Sequence, residues 1–91
     1  MVADGEVPPW WAGHQHILNA RAVPGRFTRC EPVPVRVRLQ WADDGEEVVT
    51  TTATGWTTPL VLVMVDDPRS VTRGVWVPAR DVTRLDPGGA D

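Results

Sequence analysis

From Val33 to Trp41 the chain reads Val-Pro-Val-Arg-Val-Arg-Leu-Gln-Trp, an unbroken alternation. Period two sends Val33, Val35, Val37, Leu39 and Trp41 to one side of a β-strand, and Pro34, Arg36, Arg38 and Gln40 to the other. One face is therefore core, and the opposite face carries two arginines. Pro34 cannot donate to a ladder, so it marks the start or an edge of the strand. This segment sets the fold class, because a strand with one apolar face needs partners to cover that face.

The residues that follow supply those partners. Ala42-Asp43-Asp44-Gly45 is turn chemistry, with Asp-Gly accepting the positive φ of a hairpin. Glu46 to about Trp56, rich in Val and Thr, is the returning strand, and Gly55 near its end marks a bulge or bend. Thr57-Thr58-Pro59 breaks the pattern. Leu60 to Val65 is a continuous apolar run of strand length between Pro59 and Asp66-Asp67-Pro68, which fits a central strand covered on both faces. Gly74-Val75-Trp76-Val77 reads as a fourth strand, Pro78 to Asp81 as one helical turn opened by proline, and Val82 to Leu85 as a fifth strand. Five short strands joined as a meander must hide their edges, and closure into a small barrel does so.

The run Gly74-Val75-Trp76-Val77-Pro78-Ala79-Arg80-Asp81-Val82 resembles the end of the SH3-like small barrels. Those barrels place a glycine, a few apolar residues, a proline, a 3-10 turn and a valine in that order. The resemblance implies an all-β, SH3-like small barrel of about five strands with one short 3-10 turn. It does not imply a proline-peptide groove. The chain has no Tyr, Asp81 stands where an aromatic is usual, and the Trp10-Trp11 pair precedes the barrel instead of lying within it. The expected organisation is a flexible arm over 1–9, then an arm, extra strand or helical turn packing on the barrel over 10–32. The barrel itself is expected over 33–85, and a flexible tail over 86–91.

Composition excludes several classes. At 91 residues there is room for one domain and none for a cofactor fold plus a substrate domain. No apolar run is long enough to span a membrane. The single Cys, Cys30, cannot close an internal disulfide. The acidic start Met1-Val2-Ala3-Asp4-Gly5-Glu6 is the opposite of a signal peptide, so the expected location is the cytoplasm. The absence of Lys beside abundant Arg, Val, Ala, Pro and Gly reads as a GC-rich, bacterial coding sequence. The net charge is −3, which argues against a uniformly basic protein and leaves room for a local basic face.

The unusual content is five tryptophans, since Trp brings a large apolar face and one N–H to a contact. Trp41 follows the core alternation. Trp10 and Trp11 are adjacent, so an extended backbone cannot bury both in one small core. If Val75 and Val77 face inward, Trp76 faces out. Trp10, Trp11 and Trp76 are thus the candidate partner anchors. The alternative is that the arm packs back and one Trp lids the open end of the barrel. Arg36, Arg38 and Arg84, with Trp76 and Trp11 for stacking, form a candidate single-stranded nucleic-acid face, against which the acidic turns weigh.

His14 and His16 share one face of an extended segment and, with Cys30, would be three zinc ligands. No second Cys completes the set, and loop histidines facing solvent explain them as well. Thr50, Thr52 and Thr54 are ordinary filler for an exposed strand face. Asp43-Asp44 and Asp66-Asp67 are explained by turns. No phosphate loop, nucleophile elbow or helical metal motif is present, so no catalytic residue, metal or cofactor is expected. The expectation is a non-catalytic module that docks a protein partner or a second copy of itself.

Overall fold

The computed structural model describes residues 13–85. Trp10 and Trp11 lie outside the described residues, as do the expected arm over 1–9 and the expected tail over 86–91. Within them the protein is all-β: β1 (Thr28–Trp41), β2 (Gly45–Thr57), β3 (Leu60–Met64), β4 (Gly74–Pro78), a 3-10 turn (Ala79–Asp81) and β5 (Val82–Arg84). They form one antiparallel sheet in the order β4-β3-β2-β1-β5. The sheet is open, with β4 and β5 as its two edges, so the expected closure into a barrel is not what the hydrogen bonding shows.

The alternation of β1 does what period two requires. Val35, Val37, Leu39 and Trp41 are buried, and with Ala53, Val63, Val65, Val75 and Val77 they make the core. Each buried Val or Leu side chain contributes roughly 1.5–3 kcal/mol. The β1–β2 hairpin closes on Gly45, whose φ of 83° is reached at little cost only without a Cβ. Its ladder runs from Trp41↔Gly45 back to Thr28↔Trp56, with a register shift between Arg29 and Val33. That shift absorbs Glu31-Pro32, and it carries the first strand five residues upstream of Val33, where the alternation begins.

A second register shift, between Ala53 and Gly55, re-aims β2 as it crosses to β3. Beyond it, Gly55, Leu62 and Trp76 are cross-strand neighbours on the face opposite Val63 and Val75. Phe27 lies over that row. Its ring meets the Trp76 ring edge-on with centroids 4.9 Å apart. A Cβ added at Gly55 would come within 3.3 Å of the Phe27 ring. The bare backbone of Gly55 is what lets Phe27 settle on the sheet.

Trp76 is therefore not the outward-facing residue that simple alternation implies. Val75, Trp76 and Val77 are all buried, Trp76 at 4 % exposure. Alternation predicts an exposed Trp76 only if one face of β4 is left uncovered. Core covers the Val75/Val77 face, and the incoming segment with Phe27 covers the other.

That incoming segment ties distant parts of the sheet together. The N–H of Leu18 donates to Gln40 and that of Ala42 to His16, making an isolated bridge Ile17↔Trp41 beside β1. After a turn closed by Ala20 on Ile17, the N–H of Arg21 donates to Trp76 at 2.7 Å, a second isolated bridge on the outer edge of β4. The segment forms neither a helix nor a full strand. It is a strap from the end of β1 to the edge of β4.

Candidate functional site

The strap and the loop before β4 enclose a cleft of about 510 Å³. Its apolar walls are Ile17 and Ala20 from the strap and Val75 and Trp76 from β4. Val23 and Val71 stand at its margins, 71 % and 59 % exposed. His14, His16, Arg21 and Thr72 supply the polar lining. A volume of this size is within the roughly 300–1,000 Å³ of pockets that enclose small ligands. Two large apolar side chains left at its mouth mark a surface suited to an apolar partner.

Two polar networks hold the walls. In the first, Asn19 of the strap is buried and fully engaged: its amide nitrogen donates to the Arg38 carbonyl at 2.8 Å and to Asp81 Oδ2 at 3.0 Å, and its oxygen accepts from the Gln40 N–H at 3.0 Å. Asp81, from the 3-10 turn, also accepts from Arg38 Nε at 3.1 Å and Nη2 at 2.8 Å. Arg38 reaches on to Glu46 at 3.1 Å. Burial pushes the Asp81 carboxyl up, but the hydrogen bonds from Asn19 and Arg38 and the charges of Arg38 and Arg80 outweigh it and hold the group below its ordinary value.

In the second network Arg69 is the hub. Its guanidinium stacks 4.0 Å from the centroid of the Trp41 ring. It also pairs with Asp44 at 3.0 Å, Glu47 at 2.6 Å and Asp67 at 2.8 Å. Trp41 Nε1–H donates to the same Glu47 at 3.0 Å. Gln15, on the strap beside the cleft, caps the β1–β2 turn by accepting from the N–H groups of Asp43 and Asp44 and donating to the Asp44 carboxylate. The paired acids thus do more than turn the chain: three carboxylates are gathered on one arginine over a buried indole.

These networks set an acid limit. The side-chain and backbone N–H donors of Arg69 bring Asp67 down to about 2. Gln15 and Arg69 lower Asp44 as well, and Asp81 is lowered as described. For a depressed carboxylate, stability is fully present above its unfolded value near 4 and is lost as pH falls through the folded value. Thermal melts are therefore expected to be flat from pH 8 to about 5 and to fall steeply between about pH 4 and 2. A constant melting temperature down to pH 2 would show that these pairs stabilise nothing.

The other candidate residues are dispersed. Arg36 is opposite Thr83, and Arg84 is opposite Val35, so Arg84 stands on the core face of the sheet and Arg36 on the outer face. Arg36, Arg38 and Arg84 do not form one surface. Arg80 takes the third place instead, in a shallow groove of about 220 Å³ with Arg36, Arg38, Val48, Asp81 and Thr83. Arg38 in that groove is already paired with Asp81 and Glu46. His14, His16 and Cys30 are not brought together: among the described residues no three His, Cys, Asp or Glu are gathered to hold a metal. Cys30 is on β1 with its thiol toward the Ala53 carbonyl. No helix of the described residues is long and apolar enough to cross a membrane.

The chain matches no protein-family model, no curated protein and no solved structure. The site's own chemistry is accordingly the whole basis of a functional reading. Nothing in the linear sequence pointed to the cleft. Its strap is irregular, and the pairings that hold it, Asn19 with Asp81 and Gln15 with Asp44, span 62 and 29 positions.

Proposed function

We propose that the protein is a non-catalytic interaction module whose cleft between the strap and β4 receives an apolar side chain of a protein partner. The observation that carries this reading is the cleft's combination of apolar walls, two exposed valines at its mouth and a basic margin at Arg21. Interface anchors are typically aromatic or aliphatic groups sunk into such a pocket and ringed by polar residues. The preferred partner is a segment with an aromatic or proline-flanked anchor and nearby acidic residues to meet Arg21. Trp76 serves as a wall of the receiving site and not as a projecting anchor. The SH3-like small barrel belongs to the same proposal. It is supported by the succession of β4, 3-10 turn and β5, and by the two bridges of the strap.

The single-stranded nucleic-acid alternative is the weaker reading. It called on Trp76 and Trp11 for stacking and on Arg36, Arg38 and Arg84 for phosphate contact, but Trp76 is buried and Arg36 and Arg84 stand on opposite faces of the sheet. A Trp-fluorescence titration with mixed single-stranded DNA and RNA is expected to show no quenching at low salt. Quenching that disappears as salt rises would reinstate it.

The proposal is tested by selecting displayed random peptides on the chain carrying Trp10→Ala and Trp11→Ala. Enriched peptides are expected to share an aromatic anchor, and their binding is expected to fall at least about tenfold in Val71→Asp and Val23→Asp, both mouth substitutions at exposed positions that cost little stability. Enriched peptides indifferent to both substitutions would place binding elsewhere.

A further inference from the structure

The cleft lies beside the point where the described chain begins. His14 is part of its lining, and the preceding residues read Glu6-Val7-Pro8-Pro9-Trp10-Trp11-Ala12. Trp11 is three residues from His14, so its backbone stays within roughly 10 Å of a cleft residue whatever its conformation. Gly13, between them, has a φ of 88°, a conformation that turns the chain sharply and is open to glycine.

The chemistry of the segment matches that of the cleft. The segment supplies two prolines and two tryptophans, and the cleft supplies walls of Ile17, Ala20, Val75 and Trp76. Upstream the sequence adds the acidic residues Asp4 and Glu6, opposite in charge to Arg21 at the cleft margin. Proline restricts the unbound backbone, so less entropy is lost when the segment is fixed.

We propose that the Pro8–Trp11 segment of the same chain occupies the cleft as a built-in competitor, so that an external partner binds by displacing it. The inference rests on the cleft being a docking site and adds its regulation. A tether this short gives an effective concentration on the order of millimolar. If the free segment binds with a Kd near 100 μM, its tethered form weakens an external ligand about tenfold.

The test uses full-length chains and a fluorescein-labelled peptide of residues 5–13, followed by anisotropy. The Trp10→Ala/Trp11→Ala chain is expected to bind the peptide saturably, the unsubstituted chain about tenfold more weakly, and the double variant with Val71→Asp added not measurably. Val23→Asp serves as a second cleft variant. Equal binding by the unsubstituted and double-variant chains would overturn the tethered competitor while leaving the cleft as a docking site. No binding to either chain, while selected peptides still bind the cleft, would overturn the choice of occupant. Sedimentation of the unsubstituted chain as a dimer that the double variant loses would make the occupant a second copy and overturn the proposal as stated. Failure of selected peptides to depend on Val71 and Val23 would instead count against the docking site itself.

Discussion

Replacing Trp41 with alanine is expected to lower the unfolding free energy by about 3–5 kcal/mol, the usual cost of deleting a buried Trp side chain. The residue is 1 % exposed and is the largest of the fully buried side chains. Three losses coincide there. The core formed with Leu39, Val63 and Val77 gains a cavity. Glu47 loses the Nε1–H donor at 3.0 Å. Arg69 loses the ring on which its guanidinium rests, while still facing Asp44, Glu47 and Asp67. A domain of this size has only about 5–15 kcal/mol in total, so the variant is expected to unfold at a much lower urea concentration. Trp41→Phe keeps most of the volume and removes the N–H, and is expected to cost roughly half as much. A change below about 1 kcal/mol for Trp41→Ala would mean that the indole is not the centre of the core.

The second large effect is expected at Asp81. Its side chain is 3 % exposed and receives three hydrogen bonds, one from Asn19 and two from Arg38. Removing one member of a buried ion pair costs about 3–5 kcal/mol when the other is stranded. Arg38 is 41 % exposed and retains Glu46, so it is only partly stranded, and Asp81→Ala is expected to cost about 2–3 kcal/mol. Asn19→Ala should produce a comparable loss, because it frees the Gln40 N–H and one Asp81 oxygen together. The checking measurement is a double-mutant cycle over Asn19 and Asp81 by denaturant unfolding, in which strong coupling is expected. Additive effects would mean that the strap and the 3-10 turn are held independently. Because both residues brace the strap, each variant is also expected to weaken cleft binding, by melting the wall rather than by losing a contact.

The strands were legible because local rules sufficed. Val33–Trp41 carries period two, Asp44-Gly45 carries the turn, and Pro59 and Pro68 bracket the apolar run of β3. Pro78 opens the 3-10 turn ahead of Val82. What escaped was settled by contacts between distant residues. Glu31-Pro32 hid the first part of β1, because a bulge can accommodate residues that a regular ladder cannot. Alternation misplaces Trp76 because the coverage of β4 depends on Phe27, which reaches it only once Gly55 leaves the space. Residue type alone puts Arg84 with Arg36, whereas register puts them on opposite faces. The openness of the sheet depends on which edges meet, which no local pattern encodes. The basic residues were visible in the sequence, but the partners that neutralise Arg38 and Arg69 were not.

Whether the cleft between the strap and β4 binds an apolar side chain is settled by titrating the ¹⁵N-labelled Trp10→Ala/Trp11→Ala chain, which lacks both N-terminal indoles, with N-acetyl-tryptophanamide. Saturable amide shifts are expected, at a Kd of about millimolar or tighter, concentrated on Ile17, Ala20, Arg21, Val71, Gly74 and Trp76. Shifts that are absent there, or that gather on Arg36, Val48 and Thr83 across the sheet, would contradict binding in the cleft.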